Sequence, residues 1–356
     1  MLAQPTLKRT LEPYFMVGAA LNESQFSERD RRDADLVARH FNTITPENAL
    51  KWQYVHPEPD RYAFAATDRY VDFGERNGMF IIGHTLVWHN QTPEWVFQDD
   101  EGRPLDRDAL LARMRDHIHT VVGRYKGRIH GWDVVNEALN EDGTLRDSPW
   151  YRIIGEDYVG LAFFFAHEAD PDAELYYNDY GLENTAKRDG AVNLIRRLQR
   201  EAAPIDGVGL QGHNRLEWPT PEAQDSTIAA FAQLGLQVMI TELDVDVLPR
   251  GSDYRGVDLS QDPALQARID PYREVAPDSL LRLQADQYAR LFNVYLKHSD
   301  VISRVTFWGV DDGDSWLNNW PVRGRTNYPL LFNRVGQPKP AYDAVMGAVR
   351  AHRSAH

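Results

Sequence analysis

Glu137 closes the run Trp132-Asp133-Val134-Val135-Asn136-Glu137, and Glu242 stands in Val238-Met239-Ile240-Thr241-Glu242-Leu243-Asp244. Each glutamate lies at the carboxyl end of a short apolar stretch with the composition of a buried strand. Strand-borne chemistry is usually placed at the carboxyl end of a sheet or barrel, so carboxylates from two strands can meet there. Such a pair is the minimum for hydrolysing a glycosidic bond: one group protonates the leaving oxygen, and the other attacks the anomeric carbon or activates water. The competing use is a structural ion pair, but no lysine or arginine adjoins either glutamate in sequence.

The other strand ends carry residues of a matching kind. Glu47, Asn48, Lys51 and Trp52 follow the second candidate strand, and His84 ends the third, with Trp88, His89, Asn90 and Gln91 beyond it. Asn136 precedes Glu137, Asn178 and Tyr180 end the fifth strand, and Gln211 and His213 end the sixth. Asp244 follows Glu242 by two residues, and Trp308 ends the eighth strand ahead of Trp316 and Trp320. Amides, carboxylates and imidazoles suit sugar hydroxyls, and indole faces suit the C–H face of a pyranose. A single tryptophan or histidine is more often structural; recurrence at most strand ends is hard to explain as packing. Asn136 is placed to contact the hydroxyl beside the reacting carbon. If its strand continues, Asp244 points to the same face as Glu242. His213, from the neighbouring strand, then exchanges a hydrogen bond with either carboxylate and helps fix its ionisation state.

These residues need a scaffold that collects strand ends. Apolar runs at 15–19, 41–45, 80–84, 131–135, 174–178, 207–211, 237–241 and 303–308 alternate with amphipathic stretches at 28–39, 66–77, 106–125, 151–169, 186–201, 221–232, 280–297 and 340–350. Helical spacing is clear in Leu110, Met114, His117, Ile118, Val121 and Val122. Eight strands alternating with eight helices predict an α/β fold, a single (β/α)8 TIM barrel; an open doubly wound sheet is the competitor. With no linker or second compositional regime, one catalytic domain is expected over 1–356, its core at about 11–350. Long loops follow the strands and short turns precede them, which puts the working surface at the carboxyl face.

Composition excludes more than it selects. The net charge of −14 argues against nucleic acid and anionic lipid as partners. The absence of cysteine removes disulfides and thiolate chemistry. No apolar run approaches the roughly 20 residues of a spanning helix, and residues 1–12 lack a leader's apolar core. A cytoplasmic location without membrane contact is expected, with export by a leader outside this sequence as the alternative; the oligomeric state stays open. Asn22-Glu23-Ser24 fits the glycosylation pattern, which matters only on a eukaryotic secretory route. Gly207-Val208-Gly209-Leu210-Gln211-Gly212 fits G-x-G-x-x-G, but no helix opens after it, so no nicotinamide cofactor is expected. Asp311, Asp312, Asp314, Asp244 and Asp246 suggest incidental cation binding, yet neither a calcium loop nor a catalytic-metal motif is matched, so no metal and no cofactor are assigned.

Five segments, spread in order over most of the chain, resemble those of family 10 glycoside hydrolases. They are Phe41-Asn42-Thr43-Ile44-Thr45-Pro46-Glu47-Asn48, Gly83-His84-Thr85-Leu86-Val87-Trp88-His89, Trp132-Asp133-Val134-Val135-Asn136-Glu137, Gly209-Leu210-Gln211-Gly212-His213 and Ile240-Thr241-Glu242-Leu243-Asp244. The resemblance implies a retaining endo-β-1,4-xylanase acting on xylan or xylo-oligosaccharides, with Glu137 as general acid/base and Glu242 as nucleophile. It implies that Lys51, His84, Trp88, Asn136, Gln211, His213 and Trp308 line the subsite of cleavage. Glu47, Asn48 and Trp316 would hold the next sugar on the non-reducing side, Asn178 and Tyr180 would serve the leaving-group side, and Asp244 would support the nucleophile. A retaining pair should stand about 5–5.5 Å apart. Without a visible leader, disulfide or carbohydrate-binding module, an intracellular or leader-stripped enzyme working on imported xylo-oligosaccharides as well as, or instead of, polymeric xylan is favoured. Residues 251–277 read as a rim or a solvated loop, and Arg323 and Arg325 as either a cleft end or partners of surface carboxylates. A related barrel acting on β-glucosides or β-mannosides is the enzymatic rival, and a non-catalytic carbohydrate-binding barrel is the rival of another class.

Overall fold

A computed structural model describes residues 5–249 and 263–355. Among the described residues nine parallel strands form: β1 (Met16–Leu21), β2 (Thr43–Pro46), β3 (Phe80–Val87), β4 (Gly131–Asn136), β5 (Glu174–Asp179), β6 (Gly207–Leu210), β7 (His213–Arg215), β8 (Gln237–Asp246) and β9 (Ile302–Phe307). β1 to β6 pair in sequence order, β6 pairs directly with β8 (Leu210↔Ile240), and β9 pairs with both β8 and β1. Eight strands thus close into a barrel, the (β/α)8 architecture read from the alternation. The ninth, β7, pairs only with the outer half of β8, His213 opposite Asp244 and Arg215 opposite Asp246. Strand reading from sequence ended β8 at Thr241 and gave β7 no strand. Val245 and Val247 are buried past that point, so the apolar pattern does continue, interrupted by the charged residues Glu242, Asp244 and Asp246.

The helices start where the chain supplies caps. Asp106 accepts from Ala109 N at 2.8 Å and opens Arg107–Arg124, and Thr220 accepts from Ala223 N at 3.2 Å and opens Pro221–Ala232. Asn22, the possible glycan acceptor, caps Glu23–Phe26 in a capping box with Gln25. The stretch read as one helix over 151–169 is two, Pro149–Ile154 and Tyr158–Ala169, broken at Gly155 with φ 97°. Between sheet and helices runs a continuous apolar core including Val17, Ile44, Ile81, Val134, Leu175, Val208, Ile240 and Val305. Ile82, Tyr176 and Met239 form a separate apolar cluster with Phe80. Beside it the buried Arg304 lies 4.5 Å from the Tyr176 ring and 3.9 Å from Asp133. Among the described residues no helix is long and apolar enough to cross a membrane.

Gly209 accounts for the glycine-rich segment of β6. A Cβ on it would stand 2.3 Å from Asn178 Oδ1 and 2.8 Å from Thr241 Cγ2. The glycine lets neighbouring strand ends approach each other, and the segment needs no phosphate to explain it. Part of 251–277 lies outside the described residues. Within the rest, Pro263–Ile269 is a helix whose Leu265 and Ile269 pack on Val322.

Candidate active site

Glu137 is the first residue past β4 and is held by its backbone and its side chain alike. Its φ of 56° is in the left-handed region, uncommon for a residue with a side chain. Its N–H donates to Asn178 O at 2.9 Å, and its carbonyl accepts from Arg146 Nε at 3.1 Å. The carboxylate accepts from Trp88 Nε1 at 2.9 Å on one oxygen and from Gln211 Nε2 at 3.0 Å on the other. Three strand ends therefore fix one half-buried carboxyl group.

Glu242, on β8, is 5 % exposed and has both oxygens bound. Asn178 Nδ2 donates to Oε1 at 2.8 Å, and His213 Nε2 lies 3.2 Å from Oε2. The other imidazole nitrogen, Nδ1, lies 3.0 Å from Asp244 Oδ2, which also accepts from Trp316 Nε1 at 2.8 Å. Because β8 runs on through Asp246, Glu242 and Asp244 reach one imidazole from the same side. Burial alone lowers the pKa of His213, but the two carboxylates outweigh it and push it up to about 10. His213 is therefore an imidazolium at neutral pH and donates from both nitrogens. For Glu242 burial acts upward, yet the hydrogen bond from His213 and the nearby His84, His213 and Lys51 hold its carboxyl below the usual range. Burial drives the Asp244 carboxyl above its ordinary value, against the pull of His213 and Trp316.

Around the pair stand the sugar-suited groups. The buried Lys51 ammonium is 5.0 Å from the Trp88 ring centre and 6.0 Å from that of Trp308, and it donates to Asn48 Oδ1 at 3.2 Å. Burial lowers its pKa although Glu242, Glu47 and Glu137 oppose this. The same burial raises the carboxyl of Glu47 despite Lys51. His84 is fixed by Asp133 through Nδ1 at 2.9 Å and meets Trp308 edge-on at 5.3 Å. Trp316 lies 4.8 Å from His213 and stacks on Trp320 at 4.8 Å. The structure thus gathers Lys51, His84, Trp88, Asn136, Gln211, His213, Trp308, Trp316 and Asp244 around the two glutamates, with Glu47 and Asn48 beside Lys51.

Two residues read as serving the leaving-group side part company. Asn178 is fully buried; its amide joins Glu242 to the Asn136 amide, 2.9 Å away, so it supports the Glu242 carboxylate from below. Tyr180 is half-buried on the loop after β5 and accepts from Arg146 at 3.2 Å. Arg325 is buried and pairs with Asp246 at 3.3 Å while donating to Trp320 O and Pro249 O, which fixes the loop and leaves it no role as a cleft end. The acidic residues that suggested a cation have protein partners. Asp311 pairs with Arg32, Asp312 with Lys339, Asp246 with Arg325 and Asp244 with His213. Among the described residues the acidic group close enough for a cation is Asp30, Asp33 and Asp314, where Gln25 bridges two carboxylates.

Sequence reading passed over Thr241, Asp133 and Arg146. Thr241 Oγ1 donates to Asn178 Oδ1 at 2.6 Å and so orients the amide that holds Glu242. A charged residue in the middle of an apolar strand was the available signal for Asp133, as for Arg304. Nothing in the sequence around Arg146 marks it.

The model of Glycosyl hydrolase family 10 matches residues 6–348. Endo-1,4-beta-xylanase A of Xylanibacter ruminicola is 45% identical over 343 residues, covering 96% of this chain and 93% of that protein. A GH10 endoxylanase from a sugarcane soil metagenome superposes with a TM-score of 0.91 at 43% identity, over 97% of this chain and 99% of that one. The intracellular xylanase of Thermoanaerobacterium saccharolyticum gives a TM-score of 0.84 at 36% identity, over 97% and 99% of the two chains.

Proposed function

The chain belongs to glycosyl hydrolase family 10, and on that premise we propose that it is an endo-1,4-β-xylanase cleaving xylan or xylo-oligosaccharides with net retention. The observation that carries the division of roles is the contrast between the two glutamates. Glu242 is buried, hydrogen-bonded on both oxygens and held ionised by His213, the state a nucleophile requires. Glu137 is half-buried on a loop, with Trp88 and Gln211 aiming its carboxyl from either side. Environments that separate two carboxyl groups in this way assign one as acid and one as base or nucleophile.

In the first step Glu242 attacks the anomeric carbon while Glu137 gives its proton to the glycosidic oxygen, breaking the C–O bond and releasing the leaving sugar. In the second, Glu137 takes a proton from water, whose oxygen displaces Glu242 from the anomeric carbon and restores both groups. Lys51, His84, Trp88, Asn136, Gln211, His213 and Trp308 bind the sugar at the point of cleavage. Glu47, Asn48 and Trp316 bind the next one on the non-reducing side, and Tyr180 the leaving side. Similarity to an intracellular xylanase supports a location inside the cell, where imported xylo-oligosaccharides would be substrates as well as, or instead of, polymeric xylan. Rates on xylobiose, xylotriose and insoluble xylan report that preference.

The roles are tested by comparing kcat/KM on xylotriose and on 2,4-dinitrophenyl xylobioside. Glu242→Ala should abolish turnover of both. Glu137→Ala should lose at least about a hundredfold on xylotriose, the scale of general acid catalysis, while keeping most of its kcat/KM on the aryl glycoside, whose leaving group needs no proton. Equal losses on the two substrates would contradict the assignment.

A further inference from the structure

We propose that Arg146 is a positioning residue for the general acid/base, holding Glu137 in the backbone conformation from which its carboxyl is aimed at the leaving oxygen. The proposal rests on the acid/base reading of Glu137. A residue with a side chain at φ 56° is strained, and such a conformation persists only where its surroundings fix it. Two groups fix the backbone of Glu137. Asn178 O accepts from the N–H at 2.9 Å, and Arg146 Nε donates to the carbonyl at 3.1 Å. The first anchor belongs to the barrel itself; the second is a side chain that returns from the end of the following loop.

The loop is built for that return. Leu139 and Leu145 form an antiparallel bridge, Asn140 N donates to Thr144 O at 2.8 Å, and Arg146 N donates to Ala138 O at 2.7 Å. Gly143, with φ 82°, abuts Gly190 of helix Thr185–Arg200, where a Cβ on Gly190 would meet Gly143 O at 2.3 Å. The loop therefore lies against the barrel's outer layer, and Arg146 points back into it. Its other two bonds complete a fork: one NH2 group donates to Leu139 O at 3.0 Å and to Tyr180 OH at 3.2 Å. Tyr180 is fixed in turn, with Lys187 Nζ 3.3 Å from its ring centre and Asp179 accepting its N–H at 2.9 Å. Arg146 thus ties the loop after β4 to the loop after β5, and its planar donors do what one ammonium cannot. It acts on the carboxyl of Glu137 through the main chain.

Loss of this anchor releases the Glu137 carbonyl and lets the carboxyl drift, and a displacement near 1 Å costs up to about a hundredfold in rate. The loss falls only on steps that need the proton. Arg146→Met should therefore lower kcat/KM on xylotriose by about tenfold to a hundredfold and leave that on 2,4-dinitrophenyl xylobioside within about twofold. Arg146→Lys should fall between parent and Arg146→Met on xylotriose, and it carries the test alone if the methionine variant does not fold. A purely structural arginine would lower both substrates together in a folded variant, and that result would overturn the proposal. Glu137→Ala run alongside separates the two ideas. If it too fails to discriminate between leaving groups, the acid/base reading is at fault; if it discriminates and the Arg146 variants do not, only the role of Arg146 falls.

Discussion

His213 donates from Nε2 to Glu242 and from Nδ1 to Asp244, at 3.2 and 3.0 Å, and its charge decides how far down the pH scale Glu242 stays ionised. A carboxyl whose pKa lies below its ordinary value keeps its charge until the pH falls through that lower value. Removing the imidazolium raises the pKa, so the charge is lost sooner on acidification. His213→Ala should therefore move the acid limb of kcat/KM for xylotriose to higher pH. It should also lower the plateau by roughly tenfold to a hundredfold, the worth of a charged hydrogen bond of about 1.5–3 kcal/mol. An acid limb that does not move would show that Glu242 owes its ionisation to other groups. Residue types and spacing were enough to find Glu137, Glu242, His213 and Asp244, because the alternation of a strand says which side chains share a face. They were not enough for Asn178, whose place beneath Glu242 depends on Thr241 from a strand two positions along the barrel. Arg146 was out of reach for a related reason: two of its partners, Glu137 O and Leu139 O, are backbone carbonyls, which leave no trace in side-chain chemistry.

At the scale of elements, the site depends on strands approaching more closely than side chains normally permit. β6 lies between β5 and β8, and Gly209 is where Asn178 from one side and Thr241 from the other nearly touch it. Gly209→Ala must push Asn178 Oδ1 away from a contact of 2.3 Å, and the same amide holds Glu242 at 2.8 Å. We expect a loss of about 1–3 kcal/mol in stability, read by denaturant unfolding. The loss of kcat should be larger than that of an alanine placed at Gly123, which has open space around it. If Gly209→Ala unfolds earlier but turns over normally, the amide is not positioning Glu242. Element types followed from periodicity, while several boundaries did not. β7 is three residues long, β8 reaches five residues past its apolar run, and Gly155 divides a helix that hydropathy reads as continuous. Short strands and turns carry too few residues for a period to show.

For the whole molecule, buried histidines set much of the response to acid. His40 is 4 % exposed, its Nδ1 has no partner among the described residues, and it packs edge-on against Phe332 and Tyr342. Burial, helped by Arg39 and Lys8, pulls its pKa down to about 4, and His89 is likewise pulled to about 4. Unfolded histidine titrates near 6.5. As the pH falls from about 6.5 through 4, the unfolded chain binds protons that the folded chain refuses, and stability is lost. Asp179 and Asp311 work against this: burial pushes both up to about 6, so the folded state binds their protons more readily in much the same window. His213, raised to about 10, stabilises the fold fully below 6.5 and loses that contribution as the pH climbs through 10. These opposing signs blunt the overall curve, so a difference between variants is the cleaner measure. His40→Phe should gain on the parent as the pH is lowered from 7 to 4, by on the order of 3 kcal/mol at the acid end, followed by chemical denaturation. Curves that stay parallel would contradict a neutral buried His40. The barrel itself was legible from the regular alternation of runs along the chain, and long loops after strands placed the working face. Closure by β9 against β1 is a fact of register that no local pattern carries.

The central claim, that Glu242 forms a bond to the sugar, is tested most directly by trapping. A 2-deoxy-2-fluoro xylobioside with a 2,4-dinitrophenyl leaving group slows both steps but lets the first outrun the second. Peptide mass spectrometry of the inactivated protein should then find one xylobiosyl label, on Glu242. A label on Glu137, or inactivation-free turnover that releases the α-anomer, would contradict it.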